Sequence, residues 1–139
     1  MTRFDWGSGS GPDAVGKPAL GPTNRKRVLV VDDDLAVRSF IAQALAARGD
    51  VDVETAGDGL EALAKLRAGR FDAVVSDIEM PGCSGLTVAT AARQTRPGMR
   101  VVLMTGAGAA MGPAAAAAGA STFLEKPFDL AALVKAIGC

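Results

Sequence analysis

The sequence has no histidine, only two cysteines and one tryptophan, and 15 basic residues that balance 15 acidic ones. Without histidine, the chain has no imidazole to act as a general base, ligate a metal or carry a phosphoryl group. Cys83 and Cys139 lie far apart and form no metal-ligand pattern, which favours a reduced protein of the cytoplasm. A net charge of zero leaves no whole-protein field to attract nucleic acid or an anionic membrane. Function must therefore depend on a local site.

The chain also lacks long apolar runs. No stretch approaches the roughly 18 apolar residues of a membrane helix, and the N-terminus has no apolar signal core. We therefore expect a cytoplasmic protein with no membrane segment. A length of 139 residues, with 49% hydrophobic and 22% charged residues, suits one compact domain. Residues 1–24 are rich in glycine and proline and are predicted to be a flexible tail, with the folded domain at residues 25–139.

Short β-branched or alternating runs recur along the domain and alternate with segments of helical periodicity. Strands are predicted at residues 28–31, 51–55, 71–76, 100–104 and 122–124. Helices are predicted at residues 35–45, 60–66, 86–96, 113–118 and 130–137, with Pro113 as a first helical residue. The predicted apolar faces include Leu35, Phe40 and Leu60. Five alternating strands and helices favour a doubly wound α/β fold, with a five-stranded parallel sheet covered on both faces.

Polar residues follow four of the predicted strands. They are Asp32, Asp33 and Asp34 after the first, Asp77 and Glu79 after the third, Thr105 after the fourth and Lys126 after the fifth. In a doubly wound sheet, ligands bind outside the carboxyl ends of the strands. Carboxylates that converge there repel each other unless one is protonated or a cation neutralises them.

An all-oxygen site with open positions suits Mg²⁺. A lysine and a hydroxyl donor opposite the carboxylates fit phosphoryl transfer, in which a carboxylate can be the nucleophile. Each residue also has a structural interpretation, since Asp34 could cap the first helix and Asp77 could belong to a turn. It is the combination at four strand ends that indicates a phosphoryl-transfer site.

Four segments resemble the signatures of the receiver domain of two-component response regulators, particularly the stand-alone chemotaxis (CheY) type. They lie at residues 28–34, 74–82, 103–106 and 124–128, and the likeness extends from about residue 27 to 137. The resemblance implies a flavodoxin/CheY-like fold with strand order 2-1-3-4-5. It also implies a phospho-acceptor signalling domain and not an enzyme.

The resemblance also implies a role for each acidic residue. Asp77 would be the phosphorylation site. Mg²⁺ would be bound directly by Asp33, by Asp77 and by the backbone carbonyl of Glu79. Asp32 would act on the ion through water.

Thr105 and Lys126 would hold the phosphoryl oxygens, and the Lys126–Pro127 peptide bond would be cis. Phe123 occupies the aromatic switch position of the family. On phosphorylation, Thr105 would move toward the phosphate and the Phe123 ring would turn inward. The glycine-rich loop at residues 106–112 has the backbone freedom to follow.

The resulting hypothesis is a signalling switch that depends on other proteins. Because the chain has no histidine, a sensor histidine kinase or a histidine phosphotransfer protein would donate the phosphoryl group. A downstream protein would read the phosphorylated surface. Only 13 residues follow Lys126, so we expect a stand-alone receiver with no DNA-binding domain.

Three alternatives remain open from the sequence. Asp32 and Asp34 formally match the DxD motif of a haloacid-dehalogenase-like, Mg²⁺-dependent phosphatase, although the residues that follow and the lack of a cap segment argue against it. A flavodoxin-like nucleotide binder is disfavoured, because an acidic first loop would repel phosphate. The chain could also be the receiver segment of a hybrid histidine kinase.

Overall fold

The computed structural model describes residues 25–106 and 108–138, so the predicted tail at residues 1–24 lies outside the described part. The strands are β1 (Lys26–Val31), β2 (Val51–Ala56), β3 (Ala73–Asp77), β4 (Arg100–Thr105) and β5 (Thr122–Glu125). The helices are α1 (Leu35–Ala46), α2 (Gly59–Ala68), α3 (Gly85–Thr95), α4 (Gly112–Ala117) and α5 (Leu130–Ala136). All strand pairs are parallel, in the order β2-β1-β3-β4-β5. The predicted fold class and strand order are confirmed.

The central strands are buried on both faces, which explains why they read as continuous apolar runs. Successive residues of β1 alternate between two core clusters. Leu29 packs in the cluster that contains residues of α2, α3 and α4. Val28 and Val30 pack in the cluster that contains residues of α1 and α5. Each fully buried side chain of this size contributes about 1.5–3 kcal/mol, so the sheet provides a rigid base for the loops at its edges.

Side-chain caps fix the points at which four of the helices begin. Asp34 accepts hydrogen bonds from the first turn of α1, which confirms its predicted capping role. Asp58, Ser84 and Asp129 do the same for α2, α3 and α5. Because these caps satisfy otherwise unpaired backbone N–H groups, they set where each loop leaves its strand.

Arg93 connects the far ends of α3 and α4. Its guanidinium donates to the carbonyls of Pro97, Met99 and Gly119 and to the hydroxyl of Ser121, at 2.6–2.8 Å. The side chain therefore joins α3 to the segments at residues 97–99 and 119–121 and pairs carbonyl groups of both segments.

Two sequence-based expectations were wrong in detail. The third strand begins at Ala73, not at residue 71. Phe71 is buried before the strand, with the Arg27 guanidinium 4.8 Å from its ring centre. Its apolar character therefore reflects burial and not strand pairing. The loop at residues 106–112 contains a short 3-10 helix at Ala109–Met111, and α4 begins at Gly112.

The predicted apolar faces of α1 and α2 are also only partly correct. Ile41 and Leu45 of α1 are buried, but Leu35 and Phe40 are 64% and 66% exposed. Leu60, in the first turn of α2, is 72% exposed. The many alanines of α1 make its helical periodicity weak, so the pattern could not separate the buried side from the exposed one. No helix in the described ranges is long and apolar enough to cross a bilayer.

Candidate functional site

Three aspartates meet where β1 and β3 end side by side. Oxygens from the carboxylates of Asp32, Asp33 and Asp77 all lie within 4.8 Å of one another. Asp32 is fully buried, Asp77 is 5% exposed, and Asp33 faces solvent. Such a group can hold a hard divalent cation, with Asp33 on the side from which an ion would enter.

The buried oxygen Oδ1 of Asp77 accepts no hydrogen bond from the described residues. Its nearest cation is Nζ of Lys126, at 3.5 Å. A buried carboxylate oxygen left without a partner is costly, and Mg²⁺ prefers oxygen ligands of this type. The residues present therefore fit the magnesium ion that the sequence predicts.

Lys126 follows β5 and supplies the positive charge of the site. Its Nζ donates to Oδ2 of Asp32 at 3.1 Å. Burial alone would lower the pKa of Lys126, but the hydrogen bond and charge of Asp32, together with Asp77, outweigh it and raise the pKa. The ammonium group is therefore held in its charged form beside both buried aspartates.

The electrostatics of Asp77 differ from those of an ordinary surface carboxylate. Burial raises the pKa of Asp77 from 3.8 to about 6. Lys126 opposes this change, whereas the charges of Asp32 and Glu79 add to it. At neutral pH the carboxylate is still ionised, so it is available as a nucleophile or a metal ligand.

Thr105 and Glu79 contact each other beside Asp77. Thr105 is the last residue of β4 and is fully buried. Its Oγ1 donates to Oε2 of Glu79 at 2.7 Å, and the backbone N–H of Gly106 donates to Oε1 at 3.3 Å. The sequence predicts a Glu79 carboxylate beside the site and, through the resemblance, a backbone carbonyl of Glu79 that binds Mg²⁺. The side-chain contact was missed, because nothing in the local pattern relates residues 26 positions apart.

The loop after Asp77 is held by backbone contacts that only glycine permits at position 85. A Cβ atom on Gly85 would lie 2.2 Å from the carbonyl oxygen of Asp77. The N–H of Gly85 donates to the carbonyl of Ile78, and the N–H of Ile78 donates to the carbonyl of Met104. Gly85 therefore fixes the backbone on which Asp77 sits.

The remaining predicted site residues lie on β5 and directly after it. Phe123 pairs with Leu103 of β4, and its half-buried side chain packs against the core. The Lys126–Pro127 peptide bond is cis, as the resemblance implies, and the N–H of Lys126 donates to the carbonyl of Thr105. The structure thus brings together Asp32, Asp33, Asp77, Glu79, Thr105 and Lys126, with Phe123 three residues before the lysine.

Comparison with known proteins gives a consistent result. The family model described as the response regulator receiver domain matches residues 28–138. The transcriptional regulatory protein TcrA of Mycobacterium tuberculosis is 36% identical over 113 residues, which is 81% of this chain and 44% of TcrA. The chain thus spans less than half the length of this curated relative.

Two solved structures are informative about the site. The response regulator TrrA of Thermotoga maritima, in complex with Mg²⁺ and BeF, has 35% identity and a TM-score of 0.71, with 79% of this chain and 94% of TrrA covered. A response regulator of Burkholderia pseudomallei contains a phosphorylated aspartic acid, a calcium ion and citrate. It has 29% identity and a TM-score of 0.75, with 81% of this chain and 66% of that chain covered.

A five-stranded sheet with this acidic triad and this family match defines a phospho-acceptor signalling module and not an enzyme. The chain belongs to the response regulator receiver domain family of two-component signalling. Receiver domains of this family work with histidine kinases, and the aspartate triad is a Mg²⁺ site of the kind they contain. Family membership decides against the phosphatase and nucleotide-binding alternatives.

Proposed function

We propose that Asp77 accepts a phosphoryl group from a phosphohistidine on a partner protein. The observation that carries this assignment is the buried Asp77 carboxylate, whose Oδ1 lacks a hydrogen-bond partner among the described residues and faces Lys126 at 3.5 Å. The donor would be a sensor histidine kinase or a histidine phosphotransfer protein. The phosphorylated aspartic acid of the Burkholderia response regulator and the Mg²⁺–BeF complex of the Thermotoga protein support the same chemistry.

In this proposal, Asp33, Asp77 and the backbone carbonyl of Glu79 would hold Mg²⁺, and Asp32 would act on the ion through water. The ion would neutralise charge on the acidic cluster and on the incoming phosphoryl oxygens. A carboxylate oxygen of Asp77 forms a bond to phosphorus as the P–N bond of the donor breaks, and the electron pair of that bond returns to the imidazole nitrogen. Lys126 stabilises the equatorial oxygens.

Thr105 would bind the phosphoryl oxygens together with Lys126. Its movement would also transmit phosphorylation to the rest of the fold. Its hydroxyl turns toward the phosphoryl oxygens, and the ring of Phe123 on β5 moves into the space that is vacated. The surface of α4, β5 and α5 changes as a result, and a downstream protein reads that surface. Thr105 and Phe123 are thus the proposed switch residues.

Two large apolar side chains of α1 are exposed and accessible to a protein donor. Leu35 is the first residue of α1, directly after the cap residue Asp34, and Phe40 lies farther along the same helix. Because histidine kinases take the phosphoryl group from ATP, we place the reaction in the cytoplasm.

We further propose that the receiver acts without a DNA-binding domain, as a stand-alone protein whose output is protein–protein contact. The alternative is a receiver that forms one part of a larger regulator or hybrid kinase. TcrA, of which this chain spans 44%, illustrates the larger arrangement. The mass of the protein in cell extracts, measured with an antibody against this domain, distinguishes the two arrangements.

The phosphorylation site is tested with acetyl phosphate and Mg²⁺, followed by intact-mass measurement. One added phosphoryl group is expected for the wild type and for Asp50→Asn, whose carboxylate is exposed at the opposite edge of the sheet. No adduct is expected for Asp77→Asn or in the presence of a chelator. An adduct that persists in Asp77→Asn would overturn the assignment.

A further inference from the structure

The Glu79 side chain is bound to the end of β4, although the residue itself is exposed. Its two carboxylate oxygens accept hydrogen bonds from the Thr105 hydroxyl at 2.7 Å and from the Gly106 amide at 3.3 Å. Thr105 is fully buried, whereas Glu79 faces solvent. An anion from the β3–α3 loop therefore bridges two successive donors beside the proposed phosphoryl site.

We propose that Glu79 is a positioning residue that holds Thr105 in the unphosphorylated state and competes with the phosphoryl group for its hydroxyl. This inference rests on the proposed function, in which Thr105 binds a phosphoryl oxygen. A threonine hydroxyl carries one hydrogen and can donate it to one acceptor at a time. Glu79 must therefore release Thr105 before the phosphoryl oxygen can receive that hydrogen bond, and the Gly106 amide serves as its second anchor.

The charges in the site give this competition a direction. The carboxylate of Glu79 is close enough to Asp77 to raise the pKa of that residue. A phosphoryl group on Asp77 would add further negative charge at the same place, so the repulsion of Glu79 would increase. Because Glu79 is exposed, its carboxylate can rotate into water and recover hydration. Phosphorylation and release of Thr105 would thereby be coupled.

Three substitutions separate the hydrogen bonds of Glu79 from its charge. Glu79→Asp keeps the charge, but it is one methylene shorter and cannot reach both donors. Glu79→Gln keeps the length and one acceptor oxygen without the charge. Glu79→Ala removes both. All three leave the backbone carbonyl that is proposed to contact Mg²⁺.

The test is the affinity of each variant for beryllofluoride, a phosphoryl mimic, in the presence of Mg²⁺. We expect Glu79→Ala to bind about tenfold more tightly than the wild type, since charge-assisted hydrogen bonds compete with the mimic. Glu79→Asp should bind roughly threefold more tightly, because it loses contact with Thr105. The titration is followed by the backbone amide signals of ¹⁵N-labelled protein. The Gly106 amide should also shift in the ligand-free Asp and Ala variants.

The results distinguish competition from simple repulsion and from failure of the site. If Glu79→Asp binds like the wild type while the Gln and Ala variants bind more tightly, charge alone is responsible and the competition is overturned. Equal beryllofluoride affinities across all variants also overturn the competition. In that case, phosphorylation of Asp77 by acetyl phosphate would still support the proposed receiver function. If the wild type neither binds beryllofluoride nor is phosphorylated, the proposed function fails and the inference fails with it. Urea unfolding of each variant verifies that the fold is retained.

Discussion

Replacing Asp77 by asparagine should stabilise the metal-free protein at neutral pH. Burial, together with the charges of Asp32 and Glu79, makes ionisation of Asp77 unfavourable in the folded state. In the unfolded chain the same carboxyl ionises near its ordinary value. Asparagine has nearly the same shape but no charge, so it removes this cost and leaves Lys126 paired with Asp32.

The magnitude follows from the pKa of Asp77, which folding raises from 3.8 to about 6. Each pKa unit corresponds to about 1.4 kcal/mol, so ionisation of Asp77 costs the folded state about 3 kcal/mol. Between pH 3.8 and about 6 the folded protein holds the proton more tightly than the unfolded chain. The free energy of unfolding of the wild type therefore decreases as pH rises through this window, and the unfavourable contribution is complete above it.

The assay is urea unfolding of wild type and Asp77→Asn in EDTA, from pH 4 to pH 8. The variant should be more stable by about 3 kcal/mol at pH 8, and this advantage should disappear near pH 4. Asp50→Asn, at an exposed carboxylate, serves as the control and should show no comparable gain. Saturating Mg²⁺ at about 100 times its Kd should then stabilise the wild type by about 2.7 kcal/mol and the variant much less.

The reasoning would be refuted by a variant no more stable than the wild type at pH 8. It would also be refuted by an advantage that stays constant down to pH 4, since the cost must follow the titration of Asp77. A Mg²⁺ effect of equal size on both proteins would show that Asp77 does not contribute to the metal site.

Three further predictions concern residues around the site and at the far edge of the sheet. Gly85→Ala should lose about 1–3 kcal/mol of stability and most of its phosphorylation by acetyl phosphate, because the new Cβ would collide with the Asp77 carbonyl. Gly98→Ala is the control, because a Cβ at that position meets no neighbouring atom. Arg93→Ala should lower the free energy of unfolding in urea by about 2–4 kcal/mol, because its hydrogen bonds are lost. Arg93→Lys should recover only part of that stability. A loss below about 0.5 kcal/mol for Arg93→Ala would contradict the bridging role. Lys126→Met should raise the pKa of Asp77 above about 6, because the lysine charge lowers it; an unchanged pKa in a carboxyl ¹³C titration would contradict that account.

Much of the fold could be read from local patterns, since burial on both faces leaves a continuous apolar run. Val28 to Val31 is such a run, and all four residues are fully buried in β1. Capping is equally local, because Asp34 bonds to residues two and three positions ahead. Strand boundaries were predicted less accurately where a residue is buried without pairing in the sheet. Phe71 is an example, because it is buried before the strand begins.

Exposure of individual helix residues could not be predicted in the same way. Leu35 and Phe40 have the same apolar character as Ile41 and Leu45, yet only the latter two are buried. Which side of a helix faces the sheet depends on how the helix packs as a whole. A helix rich in alanine carries little information about that choice in its sequence.

By itself, the sequence determined the strands, the caps and the polar residues that end the strands, because these depend on neighbours a few positions away. It therefore located Asp77, Lys126 and Thr105 and, through their motifs, indicated the family. Only the tertiary structure decided that the Glu79 carboxylate binds Thr105. That contact joins residues 26 positions apart and depends on the register that pairs Asp77 of β3 with Met104 of β4. Register is a property of the assembled sheet, since it is set by packing on both faces and not by local residue preference.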